Sequence, residues 1–212
     1  AKDYKAAGLF DRAESLLSQL SNSKKYSCQS LKLLLDISER EKDWPRAIEI
    51  SNEIDLRRHP KIKISLAQYY CELADVALTE NANLDANKHY RQALATNKFC
   101  DRALLGLANI ALFSHEYAEA IRYLKKVPEI SPENIVLTLP LLLECTIKTQ
   151  SFVQHQSYLQ ALYKDTGQIP VLLAIVSSME AQGCDAKALS FLVEQLENLP
   201  SLDALNYLFG MD

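Results

Sequence analysis

The sequence predicts an all-α protein built from repeated pairs of helices, and three features support this fold class. Glycine is scarce, with five in 212 residues, whereas alanine, leucine, glutamate and lysine, which favour helices, are abundant. Hydrophobic residues make up 48% of the chain and charged residues 24%, which is enough apolar material for a core. Small residues also return at a nearly fixed interval inside amphipathic segments, as expected for an internal repeat.

The returning residue is an alanine in the second helix of each predicted pair. It occurs at Ala13, Ala47, Ala86, Ala120 and Ala188, with intervals of 34, 39, 34 and 68 residues. The interval of 39 indicates an insertion of five residues, and the interval of 68 indicates one copy, centred near 154, that has lost its alanine. We expect a small side chain where two helices cross, because close backbones leave no room for a larger one.

A period of 34 residues, with two helices and a turn in each period, resembles the tetratricopeptide repeat. The best copy, 101–134, has Leu107 and Ala108 on its first helix, Tyr117 and Ala120 on its second, and Pro132 at its end. The resemblance implies a right-handed superhelical solenoid, whose concave surface is lined by the first helix of every pair.

The repeats are expected to form a single array over 1–212. Trp44 is expected to be a core residue, and Pro45 to begin a second helix, where proline is tolerated. Pro140 is expected to delay the start of the helix that follows residue 134. The predicted units are a partial repeat over 1–27, repeats over 28–66, 67–100, 101–134, 135–168 and 169–200, and a terminal helix over 201–212.

No motif for catalysis, nucleotide binding or metal binding is present. The net charge of −4 argues against a nucleic-acid partner, and the five cysteines form no C-x-x-C pair, so we expect buried reduced thiols. The four histidines are isolated, and no glycine-rich phosphate loop occurs. We therefore expect no enzyme activity, no cofactor and no metal site in this chain.

The inward positions of the first helices predict a groove that binds other proteins. The groove changes from charged to apolar along the array, and its apolar part requires a partner or a covering segment. Lys32 faces Asp36, whereas the clamp that holds a chaperone tail needs an asparagine there, so an acidic peptide terminus is not expected as its ligand. The predicted groove residues are Lys32, Asp36, Glu39, Asp75, Leu78, Arg102, Leu105, Asn109, Leu112, Leu139 and Leu143.

The basic segment "LRRHPKIK", 56–63, lies at the five-residue insertion. It is most simply a solvated loop between repeats. The alternative is contact with anionic headgroups or with an acidic partner, through Arg57, Arg58, Lys61 and Lys63.

Several segments resemble a particular family beyond the repeat itself. They are "KDYKAAGLFDRAESLLSQL" (2–20), "DWPRAIEI" (43–50), "YYCELA" (69–74) and "EYAEAIRYLKKV" (116–127), and their order and spacing resemble the lipopolysaccharide assembly protein B family of Gram-negative bacteria. The resemblance implies a membrane anchor, a cytoplasmic array of these repeats, and a rubredoxin-like domain whose paired cysteines hold iron or zinc. This sequence lacks the anchor and the paired cysteines, so we expect it to be the middle and later repeats of a longer protein.

The resemblance also implies an adaptor that regulates lipopolysaccharide biosynthesis at the cytoplasmic face of the inner membrane. Such an adaptor promotes proteolysis of the LpxC deacetylase by the FtsH protease, and its own rubredoxin-like domain could cover the apolar groove. The alternative is a generic scaffold in bacterial envelope assembly with a different partner, because this fold serves many functions.

Overall fold

The computed structural model describes residues 12, 15–17, 27–55 and 58–198. These residues form helices and turns, with no strand among them, which confirms the predicted all-α fold class. Most of the partial repeat over 1–27, including Ala13, and the terminal helix predicted over 201–212 lie outside the described residues. The chain divides into two compact units, Ala1–Gly106 and Leu107–Asp212.

Helix pairs make up the described part of the first unit. Asp43 caps the second helix of the first pair, because its carboxylate accepts a hydrogen bond from the backbone N–H of Arg46 at 3.1 Å. Pro45 lies in the first turn of that helix, as predicted. The helices are α1 (Ser27–Glu41) and α2 (Trp44–Glu53), α3 (Pro60–Thr79) and α4 (Asn83–Thr96), followed by the start of α5 (Asp101–Phe113).

Two aromatic rings stack at the core of the first unit. Trp44 stacks on Tyr69, with ring centroids 5.9 Å apart and ring planes inclined by 17°. Trp44 packs against the core, which confirms its predicted structural role. The buried residues of this core include Leu31, Leu34, Leu35, Ile37, Ala47, Ile50, Ile54, Leu66 and Tyr69.

The second unit begins within α5, at Leu107, and its described part is also built from paired helices. Ile135, Leu139, Leu159, Val171 and Ile175 form one buried cluster. Leu172, Val176, Ala188 and Leu192 form a second. The helices are α6 (Tyr117–Leu124), α7 (Val127–Ile130), a 3-10 turn (Pro132–Asn134), α8 (Ile135–Thr149), α9 (Phe152–Thr166), α10 (Ile169–Glu180) and α11 (Asp185–Asn198).

Pro140 does not delay the start of its helix, contrary to the prediction. Helix α8 begins at Ile135 and contains Pro140. A proline inside a helix leaves the carbonyl four residues earlier, here that of Val136, without its usual donor. Val136 and Pro140 are both exposed, so water can reach this side of the helix and reduce the cost.

Each helix pair turns through a residue in the left-handed conformation. Lys42, Asn81, His115, Gln150 and Gly183 have φ angles between 54° and 71°. In every case the next residue donates its backbone N–H to the carbonyl five positions earlier, for example Asp43 to Ser38 at 2.9 Å and Ser151 to Thr146 at 3.2 Å. This is the hydrogen bond of a Schellman motif, and it sets the same register for all five described turns.

This register gives every pair one equivalent position, at which we expect the two helices to cross. Five residues after the left-handed residue come Ala47, Ala86, Ala120 and Ala188, each at most 1% exposed, which confirms that these alanines are buried. In the pair α8–α9 the same position is His155, which is 3% exposed. The copy without an alanine is therefore centred on His155, one residue later than the predicted Gln154, which is exposed.

We expect Ala120→Leu to lower the free energy of unfolding by about 1–3 kcal/mol, because a larger side chain overpacks the crossing. Urea denaturation of the two proteins measures the difference. Ala95→Leu, at an exposed position of α4, is the control and should change stability little. Equal effects of the two substitutions would show that the crossing is not close.

We expect His155 to destabilise the fold as the pH falls from about 6.5 to about 4. Burial, assisted by the charge of Lys125, lowers the pKa of His155 from 6.5 to about 4. Between these pH values the imidazole is protonated in the unfolded chain but stays neutral in the folded chain. The free energy of unfolding therefore falls by up to about 3 kcal/mol.

The measurement is the free energy of unfolding at several pH values for the parent chain and for His155→Ala. Carboxylates titrate in both proteins, so the difference between the two curves isolates the imidazole. Curves that stay parallel from pH 7 to pH 4 would contradict the assignment.

Candidate protein-binding site

The structure brings two separately predicted groups of residues into one cavity in the first unit. Lys32 and Glu39 of α1, predicted for the groove, line it together with Arg58 and Lys61 of the basic segment. The cavity has a volume of about 480 Å³, and we call it the basic cavity. Its remaining lining residues are Leu35, His59, Pro60, Ile62 and Ser65.

Helix α3 places the basic residues at this cavity. It begins at Pro60, seven residues before the predicted start of its repeat, because the fixed φ of proline suits a first helical position. Lys61 and Lys63 therefore belong to the first turn of a helix, and the interpretation of 56–63 as a loop is wrong for 60–63. Lys63 is exposed and does not line the cavity, and Arg57 lies outside the described residues.

Positive charge predominates around the basic cavity, although two carboxylates moderate it. Arg58 pairs with Asp55, with Nε and Oδ2 3.3 Å apart. Glu39 accepts a hydrogen bond from the hydroxyl of Tyr69. The pKa of Tyr69 is raised, mainly by burial and secondly by this hydrogen bond. Lys32 and Lys61 are exposed and form no ion pair with a described carboxylate, so they are available to an anionic group.

A second set of predicted groove residues, Asp75 and Arg102, is joined by ion pairs. Arg102 donates from Nη1 to Glu72 Oε1 at 2.7 Å and from Nη2 to Asp75. The hydroxyl of Tyr90 also donates to Asp75. Burial opposes the charge of Arg102, but the bonds to the two carboxylates outweigh it and raise its pKa. These four residues, here called the Arg102 cluster, connect α3, α4 and α5.

Gly106 allows the Arg102 cluster to form. A Cβ atom at this position of α5 would lie 2.3 Å from the ring of Tyr90, well inside van der Waals contact. The ring is buried, and its hydroxyl is held by Asp75. Glycine at 106 is therefore required for the close approach of α5 to the ring.

Two cysteines meet in the same part of the unit, which spacing alone does not indicate. Cys71 of α3 and Cys100, just before α5, are buried with their Sγ atoms 3.6 Å apart. The thiol hydrogen bond between them lowers the pKa of Cys100 to about 7 and raises that of Cys71. Cys145 is buried as predicted, whereas Cys28 is exposed and Cys184 is half-buried.

The remaining predicted groove residues differ in their exposure. Lys32, Glu39 and Asn109 are exposed. Leu139, predicted for the groove, is only 6% exposed and packs in the core with Ile135 and Leu159, so that prediction is wrong. Leu139 packs toward α10, the first helix of the next pair, because it lies one turn after Ile135 on the buried side of α8. Half-buried positions are Asp36, Asp75, Leu78, Arg102, Leu105, Leu112 and Leu143.

The described residues contain neither a metal-binding cluster nor a membrane-spanning helix. No cluster of three or more His, Cys, Asp or Glu side chains could hold a metal ion in this part of the chain. No described helix is both long and apolar enough to cross a membrane.

The paired helices and their repeated turns are those of the tetratricopeptide-repeat fold. The chain is similar to lipopolysaccharide assembly protein B of Haemophilus influenzae, with 28% identity over 201 residues that cover 95% of this chain and 50% of that protein. Its namesake from Escherichia coli K12 is 25% identical over 95% of this chain and 52% of that protein. These relatives confirm the predicted resemblance, and the chain spans about half their length. No family model matches.

Two solved structures that are similar to this chain are those of YrrB and PilW. YrrB, a repeat protein with an unusual peptide-binding site, is 16% identical with a TM-score of 0.48, covering 90% of this chain and 96% of that one. The type IV pilus biogenesis factor PilW is 16% identical with a TM-score of 0.44, covering 98% of this chain and 94% of that one.

We expect Gly106→Ala to lower the free energy of unfolding by about 1–3 kcal/mol through overpacking against Tyr90. Helix propensity alone would give the opposite sign, because alanine favours a helix by about 1 kcal/mol over glycine. Thermal or urea unfolding measures the effect. In a Tyr90→Leu background the contact is gone, and the same substitution should become neutral or stabilising. An equal loss in both backgrounds would contradict the close approach.

Proposed function

We propose that this chain is the protein-binding part of a non-enzymatic adaptor in lipopolysaccharide assembly. The observation that carries the proposal is the similarity to lipopolysaccharide assembly protein B, at 25–28% identity over 95% of the chain. The paired-helix fold supports it, because such repeats present first-helix surfaces to other polypeptides.

The specific role that we propose is control of lipopolysaccharide biosynthesis through proteolysis. In the whole protein, the adaptor promotes degradation of the LpxC deacetylase by the FtsH protease at the cytoplasmic face of the inner membrane. A membrane anchor and a rubredoxin-like domain with iron or zinc complete the protein in this proposal. The repeats supply the contacts with the protease, the deacetylase and the rubredoxin-like domain.

The basic cavity is the part of the first unit that we assign to an acidic surface of a protein partner. Lys32 and Lys61 lie on different helices, α1 and α3, and both border a cavity of about 480 Å³. Two unpaired ammonium groups beside a concave surface attract carboxylates and increase the rate of association. The half-buried apolar residues Leu78 of α3 and Leu105 of α5, in the same unit, supply further contact area.

The experiment is a pull-down with the intact protein, membrane anchor included, scored for FtsH and LpxC, together with the half-life of LpxC in cells. We expect the double variant Lys32→Glu/Lys61→Glu to reduce the recovery of FtsH or of LpxC by about tenfold. The reason is that two charges that attract an acidic surface would then repel it. The half-life of LpxC should lengthen in the same cells.

Lys88→Glu/Lys187→Glu is the matched control, since these lysines are exposed on second helices and border neither described cavity. It should leave recovery and half-life unchanged. Recovery of neither FtsH nor LpxC by the unmodified protein would refute the specific role and favour a scaffold with another envelope partner. Loss of binding to anionic vesicles, with protein recovery intact, would instead assign the cavity to lipid headgroups.

A further inference from the structure

The helix pair α8–α9 departs from the other described pairs at its crossing position. Where the others have Ala47, Ala86, Ala120 or Ala188, this pair has His155. An imidazole is much larger than a methyl group, so helices that enclose it cannot approach as closely as helices that cross at alanine. A cavity of about 220 Å³ lies beside it, bordered by α6, α8 and α9.

The lining of this cavity, which we call the His155 cavity, is basic and polar on one side and apolar on the other. Lys125 and His155 are its titratable lining residues, and no acidic side chain borders it among the described residues. Ala118 and Ile121 of α6 form the apolar wall. The remaining lining residues are Thr146, Thr149, Ser151 and Gln154.

One group at this cavity lacks a hydrogen-bond partner, and a second group has no counter-ion. The Nε2 atom of His155 is buried and has no hydrogen-bond partner among the described residues. The ammonium group of Lys125 lies 4.8 Å from the centre of the Tyr158 ring, and no described carboxylate lies within 4 Å of it. A buried polar atom without a partner is unfavourable, and an anion here would supply a partner to His155 and a counter-ion to Lys125.

The first turn of α9 adds donors at the same place. Ser151 precedes this helix of 15 residues, and its side chain makes no capping hydrogen bond to it. The first N–H groups of a helix have no partner within the helix, and the helix dipole makes this end positive. Since Ser151 and Gln154 border the cavity, it opens at the start of α9.

We propose that the His155 cavity binds a single carboxylate group carried on a short aliphatic chain. One negative charge balances the single ammonium group of Lys125, the protonated Nε2 of the His155 imidazole donates to a carboxylate oxygen, and the aliphatic part contacts Ala118 and Ile121. The carboxylate belongs either to a small free acid or to a glutamate side chain of a protein partner. The site is independent of the proposed function, because it lies in the second unit and shares no residue with the basic cavity.

The titration of the two basic groups is consistent with this assignment. Burial lowers the pKa of Lys125, and burial together with the Lys125 charge lowers the pKa of His155 to about 4. A carboxylate bound between them favours the charged form of both, so the pKa of His155 should rise when the site is filled.

The experiment is an NMR titration of the whole chain with ¹³C-labelled histidine, at constant ionic strength and pH 6. The probes are sodium butyrate, for a free acid, and N-acetyl-glutamate methylamide, for a glutamate side chain. N-acetyl-glutamine methylamide is the uncharged control. We expect a saturable shift of the His155 resonance with at least one acid, no shift with the amide, and a pKa of His155 that is higher in the saturated sample.

Three variants test the assignment. Lys125→Met should weaken binding by about tenfold or more, whereas Lys126→Met, at an exposed lysine outside the cavity, should not. His155→Ala gives this pair the residue of the other pairs, so it should remain folded by circular dichroism and lose the saturable response, read from the resonances of Thr149 and Ser151. The proposal is overturned if neither acid gives a saturable shift, or if Lys125→Met and Lys126→Met bind equally well. Saturation by phosphate but by neither acid would also overturn it.

Discussion

The close approach of two antiparallel helices is the constraint on which the described structure depends. The approach needs a small residue at the crossing, which four of the five described pairs have, and it needs a turn that sets the crossing at the same point in every pair. The left-handed residue and its backbone hydrogen bond supply the turn, and the position five residues later supplies the crossing. Trp44, Tyr69 and the aliphatic residues then fill the space around crossings that are already fixed.

The fold could be predicted from the sequence because its signal is a side-chain pattern. The sequence itself shows the recurring alanines, and their period is sufficient to predict helix pairs. They are Ala47, Ala86, Ala120 and Ala188. The turns were not predictable in the same way, because lysine, asparagine, histidine, glutamine and glycine occupy one backbone conformation. For this reason the sequence places the copy without an alanine near Gln154, and only the backbone register identifies His155.

The candidate site was predictable only in part, since it depends on contacts between repeats. The sequence predicts both the charged positions on α1 and the basic segment, but they line one cavity because α3 begins at Pro60. Similarly, the pairing of Cys71 with Cys100 and of Asp75 with Arg102 depends on the stagger between successive helices. Leu139 is predicted for the groove but is buried in the core. Helix α8 is apolar on several sides, so its sequence does not show which side faces the core.

The left-handed turns also bear on how the chain assembles during synthesis. Four of the five turn residues have a Cβ atom and carry a conformational cost of about 1 kcal/mol each, which glycine would avoid. One pair of short helices gains little from a single backbone hydrogen bond, so an isolated hairpin leaving the ribosome has a weak tendency to close. Each turn is secured when the following helix covers its pair, and order therefore spreads along the nascent polypeptide from one hairpin to the next.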